Sequence, residues 1–320
     1  MVRFFAALIV LVTTLTANAQ SWPMKPVRLI VPYPAGGLTD VLARGLSAEI
    51  VKVWGQTLLV ENRPGASQMI GAEALAKSPA DGYTLAMMDK TPLAINPFLF
   101  SKLPYDPVKD FAPVINMVQT SQVLVASPAL PANTLPQLVE LAKSKPGSVN
   151  YGTFGAGSIT HLDSEAFAAA AGIKLTHIPY KGIAEVLPAV ASGQIQIALS
   201  GIPPMLPLAR QGRVKVLGAM TPQRVAVLPD VPTFAEQGYP GLVSSSWFAL
   251  FAPAGTPRPI IDKIAADVGR IITQKDFDDR FITGVGLEMM NQGPDQLAAT
   301  VAADRAKYQV YVKNVGVKLD

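Results

Sequence analysis

The sequence predicts an α/β protein built as two doubly wound lobes, and three observations carry the prediction. Apolar strands and amphipathic helices alternate along most of the 320 residues, the order that gives parallel sheets covered by helices. A strand, a glycine-rich turn and a helix follow one another twice, at 28–50 and again at 149–171. A second alternating series, starting near residue 120 and ending near 243, lies between two parts of the first. The expected division is a leader of residues 1–19, one lobe of 20–119 plus 244–320, and a second lobe of 120–243. Two crossings between lobes make a hinge, with a ligand cleft between them.

The elements follow in order. Val27 to Val31 is a strand, and Leu38, Leu42, Leu46 and Ile50 share one face of a helix over 39–53. Leu58 to Glu61 is the next strand, turned by Asn62-Arg-Pro-Gly65 into a helix near Met69 to Ala76. Pro79-Ala-Asp-Gly82 is a turn before a third strand, Tyr83 to Met88. A proline-rich stretch from Pro92 to Pro113 breaks the pattern, and Val114 to Val118 and Gln122 to Ala126 read as two strands. The inserted series has a helix after Thr134, strand Val149 to Thr153, a helix after His161 and strand Lys174 to Ile178. It continues with helix 185–191, strand Ile195 to Leu199, a short helix over 204–211 and strand Val214 to Ala219. Ser244 to Ala252 is a late strand. Helices after Pro259 and Asp295 close the chain, the last with Leu297, Val301, Tyr308 and Val312 on one face.

The first residues have the form of a secretory signal: Arg3, an apolar stretch from Phe4 to Leu15, and the small-residue box Ala17-Asn18-Ala19. The expected mature chain begins at Gln20. A membrane anchor would need about 20 apolar residues, and Asn18, Gln20 and Ser21 interrupt too early. Apolar content of 49% supports large cores, and the absence of cysteine excludes a disulfide framework. A net charge of +4, scattered along the chain, argues against nucleic acid.

The paired devices carry the functional reading. A helix N-terminus offers unpaired backbone N–H groups and partial positive charge, and glycines before it allow an anion close to the backbone. Ala35-Gly36-Gly37 precedes the first helix and Gly155-Ala156-Gly157-Ser158 the second, with the Ser158 hydroxyl as an extra donor. Two such ends in two lobes suggest a carboxylate gripped between them. The bland alternative is a pair of tight turns. Asp40 would repel an anion and reads as an organiser of its loop. A dinucleotide fingerprint fails, because Thr160 stands where the third glycine belongs and no acid lies about 20 residues on. His161 and His177 are the only histidines, without the neighbours a metal site needs. Ser158, His161 and Asp163 are adjacent in sequence, which does not make a triad.

Eight phrases, in order, resemble a known family. They are Val31-Pro-Tyr-Pro-Ala-Gly-Gly-Leu-Thr-Asp40, Val60-Glu-Asn-Arg-Pro-Gly65, Pro79-Ala-Asp-Gly-Tyr-Thr84, Ala94-Ile-Asn-Pro97, His161-Leu162, Ile178-Pro-Tyr-Lys-Gly182, Leu228-Pro-Asp-Val-Pro-Thr233 and Phe251-Ala-Pro-Ala-Gly-Thr-Pro257. The chain resembles the extracytoplasmic solute receptors of tripartite tricarboxylate transporters, the Bug-type or TctC-type receptors. The resemblance implies a type II periplasmic binding protein fold, a small organic anion as ligand and a two-subunit integral membrane permease as partner. A monomer exported to the periplasm is expected, without cofactor or metal, and no activated nucleophile or acid–base pair in the sequence points to an enzyme. The resemblance also makes Tyr180 and Lys181 neighbours of the ligand, with Tyr33 as a wall of the cleft.

Two positions depart from the family pattern. Asp89 and Lys90 follow the third strand where relatives carry small residues, and Gln196 and Ser200 stand where relatives often place acids. The ends of these strands face the cleft in open α/β folds, so either change can alter ligand choice. A neutral Ser200 and a cationic Lys90 favour a carboxylate without an amino group. Asp89 has the opposite effect if it, and not Lys90, faces the cleft. A sensory receptor for a membrane kinase uses the same closure, and an exported hydrolase is the more distant alternative.

Overall fold

A computed structural model describes residues 22–315 and Leu319; the expected leader and its cleavage site before Gln20 lie outside the described residues. Strand β1 (Val27–Val31) leads into helix α1 (Leu38–Trp54), whose Leu42, Leu46 and Ile50 are fully buried. Burying such side chains contributes roughly 1.5–3 kcal/mol each. Gly55, in the left-handed conformation at φ 64°, ends the helix and donates to the Val51 carbonyl at 2.9 Å. Strands β2 (Leu58–Asn62) and β3 (Thr84–Met88), with helix α2 (Met69–Ala76) between them, flank β1 in parallel. A π-turn over Thr91–Ile95 and helix α3 (Asn96–Leu99) occupy part of the proline-rich break.

The two strands expected at 114–118 and 122–126 are one, β4 (Phe111–Ala126). The polar residues Gln119, Thr120 and Ser121 do not interrupt it, because their backbones pair with Trp247, Ser246 and Ser245 of β9 (Ser245–Pro253). The inserted series follows as α4 (Leu135–Ser144), β5 (Asn150–Thr153), α5 (Ile159–Ala171), β6 (Thr176–Pro179), α6 (Ile183–Ala191), β7 (Ile197–Gly201), α7 (Ile202–Arg210) and β8 (Lys215–Ala219). After β9 come α8 (Arg258–Ile272), α9 (Lys275–Phe281), β10 (Glu288–Gln292) and α10 (Pro294–Val315). Helix α9 and strand β10 were not expected from sequence; β10 is a short, polar edge strand that pairs antiparallel with β4.

The strands run in the order β2-β1-β3-β9-β4-β7-β5-β6, with β8 and β10 also on β4. Strand β4 changes neighbours midway: residues up to Ser121 pair with β9, and Gln122 to Ala126 pair with β7 and β8. The sheet thus has two halves that share one strand. Each half carries apolar clusters on both faces, with Leu29, Leu46, Leu250 and Ile264 in the first and Tyr151, Phe167, Phe234 and Leu199 in the second. A further cluster spans the halves: Ile159 and Leu162 of α5 pack with Leu99, Tyr308 and Val312. The chain crosses back between Ser244 and Ser245. There Gln122 donates to the Ser244 carbonyl at 3.2 Å, and Ser244 to the Met220 carbonyl at 2.9 Å.

Candidate functional site

Two adjoining cavities lie between the halves and share Tyr33, Asp89, Phe154 and Ile159 in their walls. The inner one is narrow, with a cavity volume of about 50 Å³, and is largely apolar, with Phe154, Ile159, Ile183, Pro204 and Phe248 around it. The outer one holds about 1180 Å³, open solvent included. Their lips touch: a Cβ on Gly182 would stand 3.0 Å from Pro34 Cδ, and the Ser67 hydroxyl donates to the Ala156 carbonyl.

Four helices begin at the inner cavity. Leu38 and Thr39 open α1, Ile159 opens α5, Ile183 and Ala184 open α6, and Gly201 caps α7. Gly37, the residue before α1, has extended backbone and no side chain to cap the helix. The partial positive ends of the four helices therefore meet around one space. Asp40 sits behind the first of them. It accepts from Gly36 N–H at 2.9 Å, Asn62 Nδ2 at 3.0 Å and Arg44 Nε at 3.0 Å. Burial alone would raise its pKa, but the Arg44, Gly36 and Asn62 hydrogen bonds hold it below the ordinary carboxylate value.

Asp89 is 4% exposed and lines both cavities. Its Oδ1 accepts from Gln68 Nε2 at 2.8 Å and Thr91 N–H at 2.7 Å, and its Oδ2 from the Tyr33 hydroxyl at 2.6 Å. Burial, and then the Asp89 charge, push the Tyr33 phenol well above its ordinary pKa, so it remains a donor. Gln68 reaches this cluster from a strained loop. Ala66, Ser67 and Gln68 all have positive φ, at 45°, 49° and 69°, a conformation that costs non-glycine residues roughly 1–2 kcal/mol each.

Lys90 does not face the cleft. Lys90 lies past the end of β3 with helical φ and ψ, and it turns inward to Asp304 of α10, with Nζ 3.2 Å from Oδ2 and only 4% of the side chain exposed. Four more expected positions lie off both cavities. Ala35 and Gly36 are on the exposed side of their loop, where Asp40 already occupies the Gly36 N–H. The Gly157 N–H is taken by His161 Nδ1 at 3.0 Å, and a Cβ there would meet Leu99 at 2.7 Å instead of an anion's path. Ser200 is fully buried and donates to the Gly201 carbonyl at 2.8 Å. Gly37 lines the inner cavity, and Gly155, Ala156, Ser158, Tyr180 and Lys181 the outer one. The Ser158 hydroxyl, expected as an extra donor, is spent on the Gly155 carbonyl at 2.8 Å.

Sequence reasoning missed Gln122, Ser246, Thr91 and Gln68. Each lines a cavity and has a buried side-chain oxygen without a protein partner. Gln122 and Ser246 are both 2% exposed, which makes them groups in want of a ligand or water contact. For Gln122 and Ser246 the useful signal was a polar residue inside a largely apolar strand.

The second loop rests on a stack of rings. His161 and His177 are parallel with centroids 4.0 Å apart, and Tyr151 lies 5.0 Å beyond His177. Burial, and next the neighbouring His161, lower His177 to about 4. Its ring protons are therefore expected to titrate near pH 4 by NMR; a midpoint at 6 or above would contradict the buried stack. A histidine depressed in this way contributes stability above about pH 6.5 that is lost as pH falls toward 4. Asp163, raised to about 6 chiefly by burial, opposes that loss, because its protonation below pH 6 favours the folded state. Asp163 accepts from the Ser244 and Tyr311 hydroxyls, and His161 accepts from Gly157, so Ser158, His161 and Asp163 are engaged separately.

Such a fold, with a cleft between two α/β halves, has the architecture of the periplasmic binding protein class. The profile of the tripartite tricarboxylate transporter family receptor, TctC, matches residues 42–317. Protein BugT of Bordetella pertussis (strain Tohama I) is 34% identical over 94% of this chain and 93% of its own. The structure of "R. palustris Rpa4515 with adipate" is 33% identical with a TM-score of 0.89, over 93% of this chain and 99% of its own. MatC from Rhodopseudomonas palustris with bound malate is 31% identical with a TM-score of 0.86, over 91% of this chain and all of its own. The chain belongs to the TctC family of tripartite tricarboxylate transporter receptors.

Proposed function

We propose that this protein is a periplasmic receptor that captures a small carboxylate by closing its two lobes, 20–119 with 244–320 and 120–243, and delivers it to a two-subunit membrane permease. The observation that carries the reading is the convergence of helix N-termini from both halves on one space, α1 from the first and α5 and α6 from the second; α7 adds no free N–H there, since Ile202 N–H is given to Thr120 Oγ1 and Pro203 and Pro204 have none. A carboxylate there accepts backbone N–H groups from both sides, so it stabilises the closed form in preference to the open one. Charge-assisted hydrogen bonds contribute roughly 1.5–3 kcal/mol each, and a micromolar complex needs about 8 kcal/mol. Several donors from two lobes meet that figure; one lobe does not. Relatives of similar sequence hold adipate and malate, which supports a carboxylate here. Among the described residues, no helix is long and apolar enough to cross a membrane.

A thermal-shift screen of the chain from Gln20 against mono-, di- and tricarboxylates tests the reading. Ligand at a hundred times its Kd adds about 2.7 kcal/mol, which raises Tm by roughly 5–10 °C for a chain of this size. Absence of any shift across the panel would count against a carboxylate receptor.

A further inference from the structure

We propose that the ligand is an amino carboxylate whose ammonium group docks on Asp89; this rests on the carboxylate reading above and narrows it. Asp89 is a buried carboxylate on the shared wall of the two cavities. Its neighbour Lys90 is committed to Asp304, and Asp89 has no ion-pair partner among the described residues. A carboxylate can accept roughly four hydrogen bonds, and three are supplied by Gln68, Thr91 and Tyr33. One acceptor position remains, on the Oδ2 side. An isolated charge in such a site is costly unless something pairs with it.

The rest of the inner wall agrees. The Gln122 amide oxygen is a second buried acceptor without a partner, and the Ser246 hydroxyl on the same wall is likewise without one. Donors for the ligand's carboxylate come from the helix ends. Acceptors for a cation come from Asp89 and Gln122. A ligand with a second carboxylate at Asp89 would be repelled, whereas an ammonium pairs with it. Phe154, Ile159, Ile183 and Phe248 leave an apolar surface for the remaining carbon skeleton. The preference expected from Lys90, for acids without an amino group, therefore loses its basis, since the residue that faces the cleft is Asp89.

Calorimetry on matched pairs tests this: leucine against 4-methylpentanoate, phenylalanine against 3-phenylpropanoate, glutamate against glutarate, with 3-methylbutylamine as the amine lacking a carboxylate. In at least one pair the amino acid is expected to bind tenfold or more tighter than its deaminated partner. Asp89→Asn should erase that ratio. Deaminated acids binding as tightly as the amino acids in every pair would overturn the inference and leave the carboxylate reading intact. The amine binding as tightly as leucine would instead remove the carboxylate reading. No binding by any of the three amino acids also overturns the inference. If Asp89→Asn does not fold, the wild-type pairs decide alone.

Discussion

Replacing Lys90 by methionine is expected to destabilise the protein by about 3–5 kcal/mol, the usual result of leaving one member of a buried ion pair uncompensated. Asp304 is 16% exposed, and its other partner is the Trp247 indole N–H at 2.7 Å. At roughly 2–4 °C per kcal/mol, Tm should fall by about 6–20 °C in a calorimetric scan. The double variant Lys90→Met with Asp304→Asn should recover most of the loss, because a neutral amide still accepts from Trp247 and carries no charge to strand. A single-variant change under about 1 kcal/mol would show that the pair does not hold α10 to the end of β3.

Replacing Gly37 by valine should abolish binding and leave the fold in place. The backbone there, at φ −79° and ψ 173°, suits a β-branched residue. A Cβ would make ordinary contacts, 3.6 Å from the Pro34 carbonyl oxygen and 3.8 Å from Ile183. Its methyl groups would occupy the inner cavity in front of the α1 N-terminus. The expected loss is a hundredfold or more in Kd, about 2.7 kcal/mol, with stability changed by less than about 1 kcal/mol. Calorimetry with the tightest carboxylate from the screen reads the first quantity and thermal unfolding the second. Unchanged affinity would mean that the ligand does not use this helix end.

Much of the architecture was legible because burial writes itself into periodicity. Leu42, Leu46 and Ile50 recur at helical spacing, and apolar runs such as Val27–Val31 are bounded by turn residues. Strand β10 was not legible: Glu288-Met-Met-Asn-Gln292 is polar and partly exposed, and only its pairing with β4 makes it a strand. Likewise β4 reads as two pieces until the register with β9 carries it through Gln119–Ser121. At the site, the glycine-rich turns located the cleft but not the free donors, since Asp40 and His161 had already taken the Gly36 and Gly157 N–H groups. The choice between Asp89 and Lys90 turned on where the chain leaves β3, since Lys90 already has helical φ and ψ. Gln122 and Ser246 are ordinary polar residues in sequence and reach the cavity wall only through strand neighbours distant in the chain, Gly201 and Thr120.

The position of β9 has a consequence for how the chain is made. It fills the gap between β3 and β4 in the first half of the sheet, yet it begins at Ser245. While the chain emerges from its N-terminus, β3 and the first part of β4 present unpaired edges until some 130 later residues have followed β4. Open edges of that kind invite pairing with other chains. The second half has no such wait: the end of β4, together with β5 to β8, is complete by Ala219. The later-encoded half therefore closes first, and the half begun earliest is finished last. A nascent chain halted after residue 243 should accordingly hold its inserted segment against protease while residues 27–121 remain open to digestion.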